Sequence, residues 1–315
     1  MAHETMDIDL VYLWVDGNDP EWLAKHNACV GKMEAKSATD CKGRYADNDE
    51  LKYSLRSIEK YAPWIHRIFI VTDNQTPAWL DTSDPKIRIV DHSEIMPAVS
   101  RPCFNATVIE HFICDIPGLA EHFLFANDDM FINRPVTPET FFAEDGLPII
   151  RFNRRPFRKF TLWYKEKVQG KKLSNYIQII RNAAELVERK YGKYYGGKTH
   201  HNIDAYLKSD CQHVERMFRK EIEPTLTNHV RSANDIQRNL FAYVALAEKR
   251  AHLHYVGQRT SFRLHIQNES HYAKLERYNP MLFCMNDSQY ARDADREREK
   301  AWLERRFPEK SRFEK

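Results

Sequence analysis

The sequence predicts an α/β protein built on a doubly wound sheet. Three observations carry that reading. Apolar, β-rich runs recur at residues 7–15 (DIDLVYLWV), 66–72 (HRIFIVT), 86–90 (KIRIV) and 123–126 (FLFA). Leu51, Leu55 and Ile58 recur at helical spacing between the first two runs. The runs stop at acidic or amide residues: Asp16, Asp73-Asn74, Asp91-His92 and Asn127-Asp128-Asp129. In open α/β sheets, ligands collect outside the carboxyl ends of the strands.

The elements follow in order. Residues 7–15 form a buried first strand, ended by Asp16-Gly17-Asn18-Asp19-Pro20. A helix and a mobile loop are expected up to about Lys42. Residues 47–61 begin with capping and acidic residues and read as a helix, with Arg56 one position off its apolar stripe. Two strands come next. A helix over 105–113 then leads through Pro117-Gly118 to the FLFANDD strand. Residues 140–142 read as a short turn or helix. Between Arg151 and Lys172, basic residues interleave with Phe152, Phe157, Phe160, Trp163 and Tyr164. That pattern suits a solvated face with aromatics packed beneath it, an anionic acceptor or a membrane surface. Residues 174–190 are an amphipathic helix. After a Tyr-Tyr-Gly-Gly loop come His200 and His201, with helices expected over 203–218 and 230–246. Arg231 is expected near the anion-favouring N-terminus of the latter. The charged tail from Arg292 reads as a surface helix.

Bulk properties narrow the function. The 315 residues carry 48 basic and 45 acidic side chains, a net charge of +3, which does not suggest a nucleic-acid binder. Six cysteines without CxxC spacing favour a reducing compartment over a disulfide framework. No apolar run reaches bilayer-spanning length, and the N-terminus lacks an apolar signal region. The expectation is a soluble or surface-attached protein. P-loop, GxSxG, HExxH and dinucleotide-binding glycine patterns are all absent.

The chemistry centres on Asn127-Asp128-Asp129. Two adjacent carboxylates at the end of a buried strand are costly to desolvate without a cation or donor. They suit a divalent metal and phosphate, although Asn and Asp also build turns. Spacing by itself does not choose between His200 and His201.

Four blocks in order resemble the Stealth family of sugar-1-phosphate transferases. They are IDLVYLWVDGNDPEW (8–22); RYADNDELKYSLRSIEKYAPWIHRIFIVTDNQTPAWL (44–80) continuing to NDDMFINRPVTPETFF (127–142); HNIDAYLKS (201–209); and VRSANDI (230–236). The ending FPEKSRFEK also resembles bacterial members. The resemblance implies transfer of a hexose- or N-acetylhexosamine-1-phosphate from a UDP-sugar to a glycan or capsular polysaccharide hydroxyl, with release of UMP. Asp128 and Asp129 match the metal and diphosphate motif, with Mg²⁺ or Mn²⁺ as the guest. Asp16, Gly17, Arg44, Asn48, Arg56, Asn127 and Lys208 fall at donor- or phosphate-binding positions. His201 matches the family's histidine and is expected to act as the base, in preference to forming a phosphohistidine. Arg231 would stabilise the phosphoryl transition state, and Asp235 would orient His201 or Arg231. Family members often carry Pro two residues after this His. Here it is Ile203, which leaves the acceptor-side geometry open.

The expected architecture is a Rossmann-like (GT-A-like) sheet with a helical C-terminal part completing the active site. Residues 1–150 would form the nucleotide-sugar-binding core, 151–195 a basic and aromatic helical insertion, and 196–315 the part carrying the His and Arg. The expected place is the cytoplasm, at the inner face of a bacterial membrane, with peripheral association through 151–172. Two other readings compete: a metal-dependent glycosyltransferase releasing UDP, and a non-catalytic glycan-binding module.

Overall fold

The computed structural model of the protein describes residues 6–31 and 40–315. Strand β1 (Ile8–Leu13) lies in the middle of a five-stranded sheet. It is buried on both faces, which is why its sequence is a continuous apolar run without alternation. Asp9 inside it is satisfied by the backbone N–H groups of Arg67 and Ala120 and by the His66 ring. The Asp19 carboxylate accepts from the Glu21 and Trp22 N–H groups and so caps helix α1 (Pro20–Val30). The mobile loop expected after it falls largely on residues 32–39, outside the described residues.

Helix α2 (Glu50–Tyr61) buries Leu51, Leu55 and Ile58 against one face of the sheet. Strands β2 (Ile68–Thr72) and β3 (Ile87–Asp91) run parallel to β1, followed by short helices α3 (His92–Ile95) and α4 (Ala106–Glu110). Strand β4 (His122–Asn127) joins the other side of β1, also parallel. The order β3-β2-β1-β4 therefore reverses direction of growth at β1, which opens a crevice beyond the ends of β1 and β4.

Asp128 and Asp129 form the turn from β4 into β5 (Met130–Ile132), which belongs to a different sheet. Strand β6 (Ile149–Asn153), helices α5 (Arg158–Trp163) and α6 (Asn175–Tyr191), and strand β7 (Lys198–Thr199) follow. Strand β8 (Asp204–Leu207) then pairs antiparallel with β4. This corrects the helix expected over 203–218, of which only the later part is helical, as α7 (Lys208–Met217). The side chains alternate as a strand requires. Ala205 and Leu207 pack with Leu124 and Ala126 on one face, while Tyr206 stacks on Phe123 at 5.7 Å on the other.

After α8 (Arg219–Leu226), the helix expected over 230–246 begins only at α9 (Asn239–Ala247). The Asp235 carboxylate accepts from the Ser232 N–H and from the Asn228 and Asn105 side chains, and these local bonds hold 228–235 as a loop. Arg231 therefore lies in that loop, away from the helix N-terminus where the sequence placed it. Strands β9 (His252–Tyr255), β10 (Ser261–His265) and β11 (Leu282–Asn286), and helices α10 (Glu269–Tyr278) and α11 (Asp293–Arg306), complete the chain. β10, β11 and β5 form a second sheet, and β7, β6 and β9 a third. The tail helix is less superficial than its charge suggested: Asp295, Glu299, Trp302 and Leu303 are buried.

Apolar cores cover both faces of the main sheet. Val11, Phe69, Val71 and Phe125 face α6, α7 and α9 on one side, and Leu10, Tyr12, Ile70 and Leu124 face α2 on the other. Each fully buried aliphatic or aromatic side chain contributes about 1.5–3 kcal/mol. Among the described residues no helix is long and apolar enough to cross a membrane.

Candidate active site

A cavity of about 750 Å³ opens beyond the carboxyl ends of β1 and β4. Its walls include Trp14 after β1, Asn127 at the end of β4, Asp128 and Asp129 after it, and Arg44, His201, Arg231 and Arg263. The strand ladders explain how these residues meet. Asp204 pairs with Phe125 as the last rung of the β4–β8 ladder, which brings the segments carrying Asp128 and His201, each three residues beyond it, to the same end of the pair. Cys284 on β11 pairs with Met130, the residue after Asp129, and Arg263 on β10 pairs with Cys284. Three distant segments are thus set side by side by backbone pairing.

Around Asp129 the contacts are specific. Its Oδ2 accepts the Cys284 thiol at 3.1 Å, and its backbone carbonyl accepts from the Met285 N–H at 2.9 Å. Its Oδ1 is buried without a hydrogen-bond partner. One ligand atom each from Asp129, His201 and Cys284 lies within 4.8 Å of the others, a spacing that can hold a metal ion. His201 adopts a left-handed backbone, φ +56°, which turns it out of the β8 direction.

Electrostatics separate the groups. Burial, followed by the charges of Asp129, Glu50 and Asp47, pushes Asp128 well above the carboxylate range. Burial lifts Asp129 to about 6, while the Cys284 thiol, Arg263 and Arg44 pull it back. Behind them, burial and Asp47 raise Glu50 to about 8, and burial and Asp49 raise Asp47 to about 6. A cluster of carboxyls held this high is short of positive charge. Desolvation, with Arg263 and Lys198, lowers His201 to about 3, so its imidazole is neutral at neutral pH. Desolvation and then Arg231 lower Arg44 to about 10.

The expected site residues divide. Asp128, Asp129, Asn127, Arg44, His201 and Arg231 line the cavity. Asp235 does not, and its carboxylate instead holds the loop that carries Arg231. Asp16 accepts from the Asn18 N–H and lies outside the lining residues. Gly17 is needed for a different close approach than expected. A Cβ there would lie 2.5 Å from the Tyr45 backbone oxygen, to which the Gly17 N–H donates at 2.7 Å. Asn48 donates to Glu50 through its N–H and its amide, and does not line the cavity.

Two expectations are corrected outright. Arg56 grips both Glu314 oxygens at 2.7 and 2.6 Å and the Phe307 carbonyl at 2.7 Å, so its donors are spent on the chain's end. Lys208 follows β8 at the far end of the sheet, where its N–H donates to the Glu121 carbonyl.

The structure adds residues that sequence reasoning missed. Cys284 and Arg263 stand beside Asp129, and Asp287 lines the cavity. A signal existed: LFCMN followed by Asp287 repeats the pattern of FLFAN followed by Asp128. Arg238 also lines the cavity. It is buried, pairs with Asp204 at 2.7 Å, and lies 4.5 Å from the Phe125 ring centroid. His200 faces the buried Asp204 at 3.4 Å.

Comparison with known proteins agrees with the sequence blocks. Residues 6–34 match conserved region 1 of the Stealth proteins and residues 44–150 match conserved region 2. An exopolysaccharide phosphotransferase of Streptomyces coelicolor is 35% identical, covering 98% of this chain and 52% of that protein. A capsular polysaccharide phosphotransferase of Actinobacillus pleuropneumoniae is 38% identical over 73% of this chain and 62% of that one. The chain therefore spans between about half and under two thirds of the length of these relatives. Among solved structures, a galactosyltransferase, LgtC, with donor and acceptor sugar analogues has a TM-score of 0.43 at 11% identity, covering 94% of each chain. With both conserved regions present in order, the chain belongs to the Stealth protein family.

Proposed function

We propose that the protein transfers a hexose- or N-acetylhexosamine-1-phosphate from a UDP-sugar to a hydroxyl of a glycan or capsular polysaccharide, releasing UMP. The observation that carries this is the convergence of Asp128, Asp129, His201 and Arg231 on one cavity at the reversal point of the sheet. Its volume of about 750 Å³ is in the range of small-molecule sites. The phosphotransferase relatives support the reaction class.

Asp128 and Asp129 fit a divalent cation. Asp129 has a buried oxygen without a partner; burial raises both carboxyls, and neighbouring negative charge raises Asp128 further. Mg²⁺ or Mn²⁺ is the guest in this reading, since such ions take carboxylates together with substrate phosphates. When bound, the ion would neutralise charge on the diphosphate. Arg231, Arg44 and Arg263 then hold phosphoryl oxygens.

The neutral His201 ring accepts the proton of the acceptor hydroxyl as that oxygen bonds to the β-phosphorus. The bond from the β-phosphorus to the bridging oxygen breaks, and UMP departs with the electron pair. The sugar C1–O bond is untouched, so the anomeric configuration is kept. In this division of labour, residues 1–150 bind the donor, 151–195 form an insertion, and 196–315 supply His201 and Arg231. A reducing, cytoplasmic setting goes with it, supported by six unpaired cysteines.

The test is incubation with a panel of UDP-sugars, Mg²⁺ and an oligosaccharide acceptor, with mass spectrometry of the products. UMP and a phosphodiester-linked glycan are expected. UDP and a glycosidic product would replace this reading with glycosyl transfer.

A further inference from the structure

Helix α5 and the π-helical turn that continues it, Tyr164–Val168, turn their apolar side chains outward. Phe157 is 82% exposed, Phe160 60%, Val168 55% and Trp163 49%. Leu162 is the large side chain of the segment that packs inward. Residues 157, 160, 164 and 168 fall on one helical face, and the rings touch along it. The centroid of Phe160 lies 5.6 Å from that of Trp163 and 6.2 Å from that of Tyr164. The result is a convex apolar ridge. An ordinary surface helix has the opposite arrangement.

The charge around the ridge is one-sided. Residues 154–172 hold eight basic side chains, of which Lys159 is paired with Glu188, and one carboxylate, Glu166, which is paired with Arg181. Lys165, Lys167, Lys171 and Lys172 are exposed. Exposed Tyr255 extends the patch, with Arg154 6.0 Å from its ring centroid. The segment runs directly into Ser174, Asn175 and Tyr176, which line the cavity.

We propose that this ridge is a peripheral membrane-binding surface. Its basic rim takes the phosphates of anionic lipids, and its aromatic residues enter the boundary between headgroups and acyl chains. Contiguous apolar surface rimmed by Lys and Arg, with the charges on flexible stems, is the pattern that binds such an interface. An anionic polysaccharide would satisfy the charge but not the shape. Sugar rings stack on flat, concave platforms with polar groups that pair their hydroxyls, whereas Phe157 and Val168 project and offer no polar partner. Docking places the Ser174–Tyr176 wall of the cavity beside the bilayer. The proposal stands apart from the transfer reaction and is read by binding alone.

The test is co-sedimentation of the full chain with vesicles of phosphatidylcholine, alone or mixed with phosphatidylglycerol. Binding to the mixed vesicles, little to the neutral ones, and release by high salt are expected. Phe160→Ser with Trp163→Ser, and separately Lys165→Glu with Lys167→Glu, should each lower partitioning by about tenfold or more. Mn²⁺ affinity should be unchanged in both. Because both lysines of the second pair are exposed, it reports even where the first pair disturbs folding. No binding to mixed vesicles, or binding that survives both pairs, overturns the proposal. So does retention on an anionic polysaccharide that both pairs abolish while vesicles remain unbound.

Discussion

The Cys284 thiol donates to Oδ2 of Asp129 at 3.1 Å, across 155 residues of sequence. It is one of the forces that keep this carboxyl from rising above about 6. Cys284→Ala removes the donor, so Asp129 should bind its proton more tightly. The pH at which Mn²⁺ affinity is half-lost should move up, by about half a unit or more. Cys284→Ser keeps a donor and should stay near wild type. Isothermal titration against pH separates them, and identical midpoints for all three proteins would remove the thiol from the account. Asp129→Asn should cost more than about a hundredfold in Mn²⁺ affinity.

His201→Ala should lower transfer by about a hundredfold to ten-thousandfold while donor and Mn²⁺ binding persist. Its low value of about 3 adds a second sign: the acid limb of the rate profile should not belong to this imidazole. Loss of Mn²⁺ binding together with transfer would make His201 a ligand alongside Asp129 and Cys284. His200→Ala acts elsewhere, on the buried pairing with Asp204, and should lower stability.

Arg56 and Arg231 should part company. Arg56→Ala breaks a buried ion pair and leaves the Glu314 carboxylate uncompensated, costing about 3 kcal/mol of stability in denaturant melts. Arg231→Lys should leave stability within about 0.5 kcal/mol but lower transfer about tenfold or more, because an ammonium lacks the planar fork. Equal effects of both variants on transfer, at unchanged stability, would return Arg56 to the donor site.

The acidic cluster predicts an unusual pH response. Glu50 is raised to about 8 and Asp47 to about 6, both first by burial. Between their unfolded values and these values, the native state holds protons that the unfolded chain lacks. Stability of the cation-free protein should therefore fall as pH rises from about 4.5 to about 8. Calorimetry should show a melting temperature a few degrees lower at the alkaline end. Glu50→Gln should flatten the trend, and Mg²⁺ should raise the melting temperature more at high pH than at low. A flat or rising profile without cation would contradict the electrostatic picture.

Much of the first half was readable because its signals are local. Continuous apolar runs ending in Asp or Asn gave β1 to β4 to within about two residues, and the Asp128-Asp129 turn followed from them. The second half depends on pairing between distant segments, which leaves little trace in a window of sequence. The residues DAYL look helical beside the long α7, and only the neighbouring β4 makes them a strand. VRSANDI looks like a helix start because Asp235 is a good capping residue, yet its carboxylate is spent on Asn105 and Asn228. Arg56 and Lys208 were misplaced for a related reason: motif spacing does not say which way a side chain points. Arg56's position off the apolar stripe did hint at a protein neighbour, and Glu314 is that neighbour.

The antiparallel join of β8 to β4 has a further consequence. The rungs from His122–Leu207 to Phe125–Asp204 fix where the two strands lie, and Asp128 and His201 each lie three residues past the last of them. In the chain between them, β6 and α6 pack in the core and Ser174, Asn175 and Tyr176 line the cavity, which leaves the largely exposed stretch 154–172 as the part that can change length without moving the site.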